Sequence, residues 1–363
     1  MKKTLIALAA LAATGASFAQ VTIFGAVDAS YNYASGDTAT GTQSKNSLAN
    51  SQLGSSKLGF TGLEDLGGGL KAKFWLEAGL ANDSGAGKGT NTNNQAAATG
   101  TNGLTFQRRS YVGLVGNFGE LQLGRQYVNT FIGVQGNQDP FGTNGPADST
   151  QMALTLGAAK GAATITNASN MVTYITPNMG GFTGNVQYFM GENVTGAATS
   201  DDGTGYSLTG AYAAGPLYVA LGGQETKYNK VAANGTYQLQ SLTASYNFGA
   251  AKIVYTYTHE NVATLTRDIK NDANLFGVII PVGAFNIKGT YMQATNNLNV
   301  VDQKGEMYGL GVDYALSKRT SLYATYGGIK NSDGGSLYGS GVIGGLTANG
   351  KTDNYAFGVF HSF

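Results

Sequence analysis

The strongest constraint on this chain is the alternation of short turns with long polar loops between strand-like segments. Seven tight-turn sequences lie at 66–69, 117–119, 177–181, 213–216, 248–251, 281–283 and 317–320. Eight long stretches rich in Gly, Ser, Thr, Asn and Asp lie between them, at 34–54, 81–103, 128–168, 193–205, 226–236, 260–273, 295–304 and 331–353. Eight hairpins require sixteen strands, with both ends of the strand region on the short-turn side.

An even number of strands, with short turns on one side and long loops on the other, is typical of a transmembrane barrel. A soluble β-sandwich would not sort its loops in this way. The sequence therefore predicts an all-β fold, a 16-stranded antiparallel transmembrane β-barrel, formed by residues 20–363 as one domain. A barrel of this width is too large for side chains to fill and leaves an aqueous channel.

Period-two patterning indicates which face of each strand meets lipid. In the third strand, the outward residues are Leu70, Ala72, Phe74, Leu76 and Leu80, and the inward residues are Lys71, Lys73, Trp75 and Glu77. A charge on the lipid face costs about 2–4 kcal/mol at mid-membrane, so the charged parity must face the lumen. The final segment, 354–363, has an aromatic parity and is expected to pair with 21–33 and close the barrel.

The start of the chain resembles a secretory signal. Lys2 and Lys3 precede an apolar stretch, and Ser17-Phe18-Ala19 is a small-x-small cleavage site, so residues 1–19 are predicted to be a cleaved signal peptide. Without the two lysines, 20 basic residues face 21 acidic ones, a balance that argues against a nucleic-acid partner. The chain has no Cys, which fits an exported Gram-negative surface protein without disulfides.

The third long loop carries the predicted chemistry. It contains Asp139 and Asp148, and in a wide barrel it is predicted to fold inward and narrow the pore. Opposed basic residues on the wall would create a transverse field that selects solutes; the candidates are Lys57, Lys71, Lys73, Arg108 and Arg109. The alternatives are that the loop lies over the mouth and that some basic residues reach toward a rim.

Three arginines pose separate questions. Arg108 and Arg109 are adjacent, and the lipid-facing parity of Val112 and Leu114 favours Arg109 as the inward residue, although a bulge would reverse this. Arg125 directly precedes the third loop. It is predicted to anchor that loop or a subunit contact in preference to lining the pore.

Enzyme chemistry has little support in the sequence. His259 and His361 are far apart, and His361 lies on the outward parity of the last strand. The sequence lacks a nucleophile elbow, a metal-ligand cluster and a phosphate-binding loop in a supporting context. We therefore predict no catalytic residue, no metal and no cofactor.

By its motifs, the chain resembles the general diffusion porins of Gram-negative outer membranes, in their β-proteobacterial and neisserial branch. The resemblance covers the whole chain and rests on 21–25 with Asp28, 58–72, 111–114, 123–127, 139–142 and 361–363. It implies a homotrimer of barrels with an inward third loop. It also implies partners in outer-membrane lipids, including lipopolysaccharide, and in the assembly machinery, which would read the strand ending at Phe363.

The resemblance also assigns residues. Lys57 and Arg108 match two positions of the family's basic cluster, and Asp139 matches their acidic loop partner. The third basic position falls near Asn167, and this departure, with Lys57 in place of Arg, implies a milder cluster. Arg125 matches a position near the subunit interface. The resemblance thus favours Arg108, in contrast to the parity argument for Arg109.

The predicted function is passive diffusion of small polar solutes and ions through an outer-membrane channel. The alternatives are a substrate-specific porin and a non-channel surface or adhesin barrel. The sign of ion selectivity and the choice between Arg108 and Arg109 remain open at this stage.

Overall fold

The structure is a computed structural model that describes residues 21–95, 103–197, 199–228, 235–298 and 301–363. The predicted signal peptide, 1–19, lies outside the described residues. The strands, numbered in chain order, are β1 (Thr22–Thr38), β2 (Gly41–Asn50), β3 (Lys57–Gly67), β4 (Leu70–Ala81), β5 (Ala86–Gly87), β6 (Arg109–Gly116), β7 (Gly119–Tyr127), β8 (Asn167–Ile175), β9 (Phe182–Phe189), β10 (Gly205–Ala214), β11 (Leu217–Thr226), β12 (Thr236–Asn247), β13 (Lys252–Ala263), β14 (Asp268–Val282), β15 (Phe285–Asn296), β16 (Gln303–Ala315), β17 (Thr320–Ser332) and β18 (Lys351–Ser362).

Sixteen of these strands form one closed antiparallel ring, which confirms the predicted barrel. The ring runs from β1 through β3, β4 and β6 to β18, with every neighbour antiparallel, and β18 pairs back onto β1. The two remaining strands, β2 and β5, add local pairings to β1 and β4. Because the ring is closed, each of its sixteen strands has backbone partners on both sides.

The seam between the first and last strands is tightly packed. Val27 to Gly36 pair with His361 to Thr352, and the Gly25 and Phe363 backbones exchange two hydrogen bonds of 3.0 and 3.1 Å. The Phe363 ring lies against Gly25, where a Cβ atom would overlap it. The predicted pairing of 354–363 with the first strand is therefore observed.

The two faces of the wall alternate as a membrane barrel requires. In β10, Tyr206 and Leu208 are exposed on the outer face, whereas Ser207 and Thr209 are buried on the inner face. Tyrosines and phenylalanines form cross-strand pairs on the outside, such as Tyr326 with Tyr355 at 4.9 Å between ring centroids. Aromatic rings with one polar end favour the membrane–water boundary.

Two predicted loops are shorter than expected. Most of 34–54 is strand, because β1 continues to Thr38 and β2 folds back on it from Gly41. Most of 260–273 is also strand, since β13 and β14 extend to Ala263 and from Asp268. Their polar residues were mistaken for loop because a hairpin that extends beyond the membrane has no need for an apolar parity.

The third long loop contains a π-helical turn, Thr130–Gly136, and two short α-helices, Thr150–Ala153 and Thr155–Ala159. Among the described residues, no helix is long and apolar enough to cross a membrane. Apolar side chains of the third long loop join a buried cluster with residues of β12–β17. The cluster includes Phe131, Met152, Leu154, Leu156, Leu239, Leu275, Met292 and Met307. The largest apolar core of the described residues therefore lies between this loop and the wall.

We predict that Gly25→Ala weakens the seam. An added Cβ would lie 2.6 Å from the Lys57 backbone oxygen and would also overlap the Phe363 ring. Overpacking of this kind costs about 1–3 kcal/mol, so the temperature at which the folded band is lost in a heat-modifiability gel should fall. Gly210→Ala is the matched control, since its Cβ would meet no atom within 4 Å. Equal stability of the two variants would contradict this account of the seam.

Candidate functional site

A charged cluster on the inner face of β3, β4 and β6 surrounds one buried carboxylate. Glu77 is 3% exposed; its Oε1 lies 2.6 Å from Arg108 Nε and 3.9 Å from Lys57 Nζ. Its Oε2 accepts a hydrogen bond of 3.0 Å from the Trp75 indole. Strand register creates the cluster, because Lys57 pairs with Gly79 and Glu77 pairs with Arg109. Lys57, Arg108 and Arg109 together outnumber Glu77, so the cluster carries a net charge of two positive units.

Arg108 and Arg109 lie on the same side of the wall despite being adjacent. Arg108 precedes the first residue of β6, and its N–H bonds to the Glu77 carbonyl at 3.2 Å. The guanidinium carbons of the two residues lie 5.4 and 5.1 Å from the centre of the Tyr127 ring, and that of Arg109 also lies 5.2 Å from Trp75. In a regular strand, adjacent side chains point to opposite faces. Arg108 lies before the first residue of β6, so this alternation does not apply to it.

Lys71 and Lys73 lie elsewhere on the same face. The Lys73 ammonium is 2.8 Å from Glu120 Oε1 and 5.9 Å from the centre of the Tyr111 ring. Six residues separate Lys71 from Glu77 along β4, which is about 20 Å of strand. These two lysines are therefore closer to the short-turn end than the Glu77 cluster is.

The two acidic residues of the third loop are held by their own loop. Asp139 Oδ1 accepts a hydrogen bond of 2.7 Å from the Phe141 N–H, and burial raises the pKa of Asp139. Asp148 Oδ1 accepts from the Thr150 N–H and hydroxyl at 2.8 and 2.7 Å. Burial, reinforced by the negative charge of Asp139, raises the pKa of Asp148 to about 6.

The structure does not pair these loop carboxylates with the predicted basic wall. Within the described part of the chain, Lys57 and Arg108 form their ion pairs with Glu77, and neither Asp139 nor Asp148 forms one. The cation that acts on Asp139 is Lys288, which itself forms an ion pair with Asp313.

The remaining predicted residues lie outside this cluster. Arg125 Nη1 donates to Ser169 Oγ at 2.7 Å and to Asn91 of the second long loop at 3.3 Å. Asn167 Nδ2 donates to the Arg108 carbonyl at 2.9 Å, so it adjoins the basic cluster without a charge. Phe363 lies at the seam.

Two important carboxylates were not assigned a role from the sequence. Glu77 was placed on the inner parity but not among the site residues, although it organises them. Glu260, fully buried on β13, accepts hydrogen bonds from the backbone N–H groups of Leu156 and Gly157 at 3.0 and 2.9 Å, and others from Tyr237 and Asn271. For Glu77 the available signal was an acidic residue on the inward parity of a strand. Glu260 fell in the predicted loop 260–273, and only the extension of β13 to Ala263 places it on that parity.

Each histidine contacts a polar side chain of a neighbouring strand. His259 Nδ1 lies 2.8 Å from Asp272 Oδ1, and His361 Nδ1 lies 2.9 Å from the Thr320 hydroxyl. In the ranges that the structure describes, no group of three or more His, Cys, Asp or Glu residues is placed to hold a metal ion.

Comparison with known proteins identifies the family. A family model described as "Gram-negative porin" matches residues 4–334. This chain belongs to the Gram-negative porins. It is 37% identical to outer membrane porin protein 32 of Delftia acidovorans over 376 residues, covering 100% of both chains. The porin is thus an outer-membrane protein of the Gram-negative type, and its family consists of channel proteins rather than enzymes.

Solved structures agree with this assignment. The anion-selective porin from Comamonas acidovorans matches with a TM-score of 0.80 and 31% identity, over 95% of this chain and 100% of that chain. A trimer form of OmpT from Vibrio cholerae matches in fold, with a TM-score of 0.65 and 18% identity, over 95% of this chain and 99% of that chain. The family expected from the sequence motifs is confirmed.

We predict that Glu77→Gln makes the porin channel more favourable to anions. The change adds one net positive charge to the cluster. A unit charge about 6 Å from a passing ion contributes about 0.7 kcal/mol in water, favourable for an anion and unfavourable for a cation, or about tenfold in the anion-to-cation permeability ratio. The reversal potential in a salt gradient across a planar bilayer measures this ratio. Glu306→Gln, on the outer face, is the control and should leave the ratio unchanged; a shift of equal size in both variants would contradict the assignment.

Proposed function

We propose that this porin is a passive, weakly selective channel for small hydrophilic solutes and ions, narrowed by an inward third loop. The observation that carries the proposal is the set of contacts between that loop and the inner face of β10–β17. These contacts occupy one side of the lumen and leave the Glu77 cluster on the other side. Solutes would pass between the two.

Hydrogen bonds and close packing support the inward placement. Thr130 and Gln135 bond to Ser207 and Thr258 of the wall at 2.9 and 3.0 Å. Farther along the loop, Pro140 and Phe141 pack so closely on Gly277 and Gly311 that a Cβ at either glycine would lie 2.6 Å from a ring atom. A loop lying over the mouth would not reach these wall positions.

We propose a preference for anions. The net positive charge of the Lys57, Arg108 and Arg109 cluster favours it, and so does the 31% identity to a solved porin described as anion-selective. Of the opposing acidic residues, Asp139 is buried and Asp148 is half-buried, and both have raised pKa values, which favours their neutral forms. Lys71 and Lys73 would extend the positive wall toward the short-turn end.

We also propose how the protein is exported and assembled. The protein would be exported with a cleaved signal peptide, 1–19, and the strand ending at Phe363 would be read by the assembly machinery. It would form a homotrimer in contact with outer-membrane lipids, including lipopolysaccharide. Arg125 would anchor the second long loop, as its bonds to Asn91 suggest. Conductance steps in groups of three would support the trimer.

Removing two basic wall charges tests the selectivity proposal. Lys57→Gln with Arg108→Gln should lower the anion-to-cation permeability ratio by more than about tenfold, since each charge shifts the anion and the cation by about 0.7 kcal/mol in opposite directions. Reversal potential in a salt gradient is the measurement. Lys304→Gln with Lys330→Gln, on the outer face, removes the same charge as a control. An unchanged ratio in the wall variant would reject the proposed selectivity residues.

Acid should strengthen the anion preference. Asp148 has a folded pKa of about 6, above its usual value, so it is charged at neutral pH and becomes neutral as the pH falls below 6. Between about pH 8 and about pH 5 the loop then loses one negative charge, and the permeability ratio should rise. In Asp148→Asn the ratio should stay near the acidic value and lose most of this dependence. An identical pH profile in that variant would exclude Asp148 as the titrating group.

A further inference from the structure

β2 and β3 pair with successive parts of β1 and are separated by a six-residue insert. Ala26 pairs with Lys57, whereas Ala29 pairs with Asn50, so only Val27 and Asp28 of β1 lie opposite residues 51–56. Bulges of this kind redirect side chains near functional sites. We call residues 51–56 the wall insert.

One buried carboxylate holds the wall insert in place. Asp28 is 0% exposed, and its Oδ2 accepts hydrogen bonds from the N–H groups of Leu53 and Gly54 at 2.7 and 2.8 Å. Its Oδ1 accepts one from the Tyr323 hydroxyl, and its own N–H donates to Ser56 Oγ at 3.0 Å. Hydrogen bonds to a buried charge are stronger than neutral ones, so this arrangement fixes the insert backbone.

The tip of the third loop contacts this insert. Ser55 Oγ donates to Asn144 Oδ1 at 3.0 Å. Gly145, with φ of +72°, approaches so closely that a Cβ would overlap the Gln52 carbonyl oxygen. The insert adjoins β3, which lies three strands around the ring from β7, the strand that this loop follows. Lys57, the first residue after the insert, belongs to the Glu77 cluster.

We propose that the wall insert is the seat of the third-loop tip and that Asp28 is the residue that positions it. The inference rests on the inward third loop proposed above. The seat fixes the free end of the loop across the lumen and sets where Lys57 begins β3. Loosening it lets the tip move, so the current through an open channel fluctuates while the barrel remains assembled.

Single-channel recording of Asp28 variants tests the role of the seat. Asp28→Ala removes the acceptor for both insert N–H groups and should raise open-channel noise and brief closures several-fold. Asp28→Asn keeps one acceptor oxygen and should restore most of the quiet behaviour. Thr243→Ala, which loses a buried wall hydrogen bond to Thr256, controls for general loosening. Quiet, full-size openings in assembled Asp28→Ala channels would overturn the proposal.

A second variant covers the case in which Asp28→Ala does not fold. Ser55→Ala removes the side-chain hydrogen bond between seat and tip and leaves the Asn144 bond to the Gly142 carbonyl in place; it should also raise the noise several-fold. If this assembled variant is as quiet as the original channel, the tip does not depend on the seat and the proposal fails.

Thiol crosslinking separates this inference from the proposed function, and the absence of native Cys makes it clean. Ser55→Cys with Asn144→Cys reports on the seat, and Gln135→Cys with Thr258→Cys reports on the inward loop alone. Both pairs should crosslink with a short bifunctional methanethiosulfonate reagent. If only the 55/144 pair fails to crosslink, the proposed seat for the loop tip is rejected. If both pairs fail to crosslink, the inward placement of the third loop is rejected as well.

Discussion

The whole structure depends on the need to satisfy backbone hydrogen bonds inside a lipid layer. No water is present there to pair with a free N–H or C=O, so the sheet must close on itself. Closure requires β18 to return to β1, and it requires small residues where the seam is tight, as at Gly25 beneath Phe363. The closed ring then forces alternate residues outward to lipid and inward to a lumen, which is the condition for every later feature of the site.

Within that ring, the two sides of the wall differ. The β12–β17 side packs against apolar side chains of the third loop, whereas the β3, β4 and β6 side keeps partly exposed charge around Glu77. Both sides rely on buried carboxylates: Glu260 receives two backbone N–H groups of the loop, and Glu77 gathers basic side chains. In a low-dielectric wall such polar groups are stable only when fully paired, so they constrain geometry strongly.

The sequence predicted the ring well because strand periodicity and turn chemistry are local signals. Strand number, the inward parity of Lys73 and Glu77, and the seam pairing of 354–363 all follow from them. The hairpin of β1 and β2 was missed because its polar residues look like loop. Both Arg108 and Arg109 lie in the cluster because β6 starts between them, and no local pattern fixes a strand end to one residue. The partners of Asp139 depend on how a long irregular loop folds, which no periodicity encodes.

The β1–β2 hairpin makes one side of the channel mouth an ordered, hydrogen-bonded surface. A strand of 9–11 residues is enough to cross the bilayer, whereas β1 has 17 residues and stays paired with β2 up to the turn at Gly41. This part of the rim is therefore ordered backbone, with its conformational entropy already lost on folding. A macromolecule that recognised it would meet a preorganised epitope, and its affinity would be reduced less by ordering costs than at an irregular loop such as 333–350.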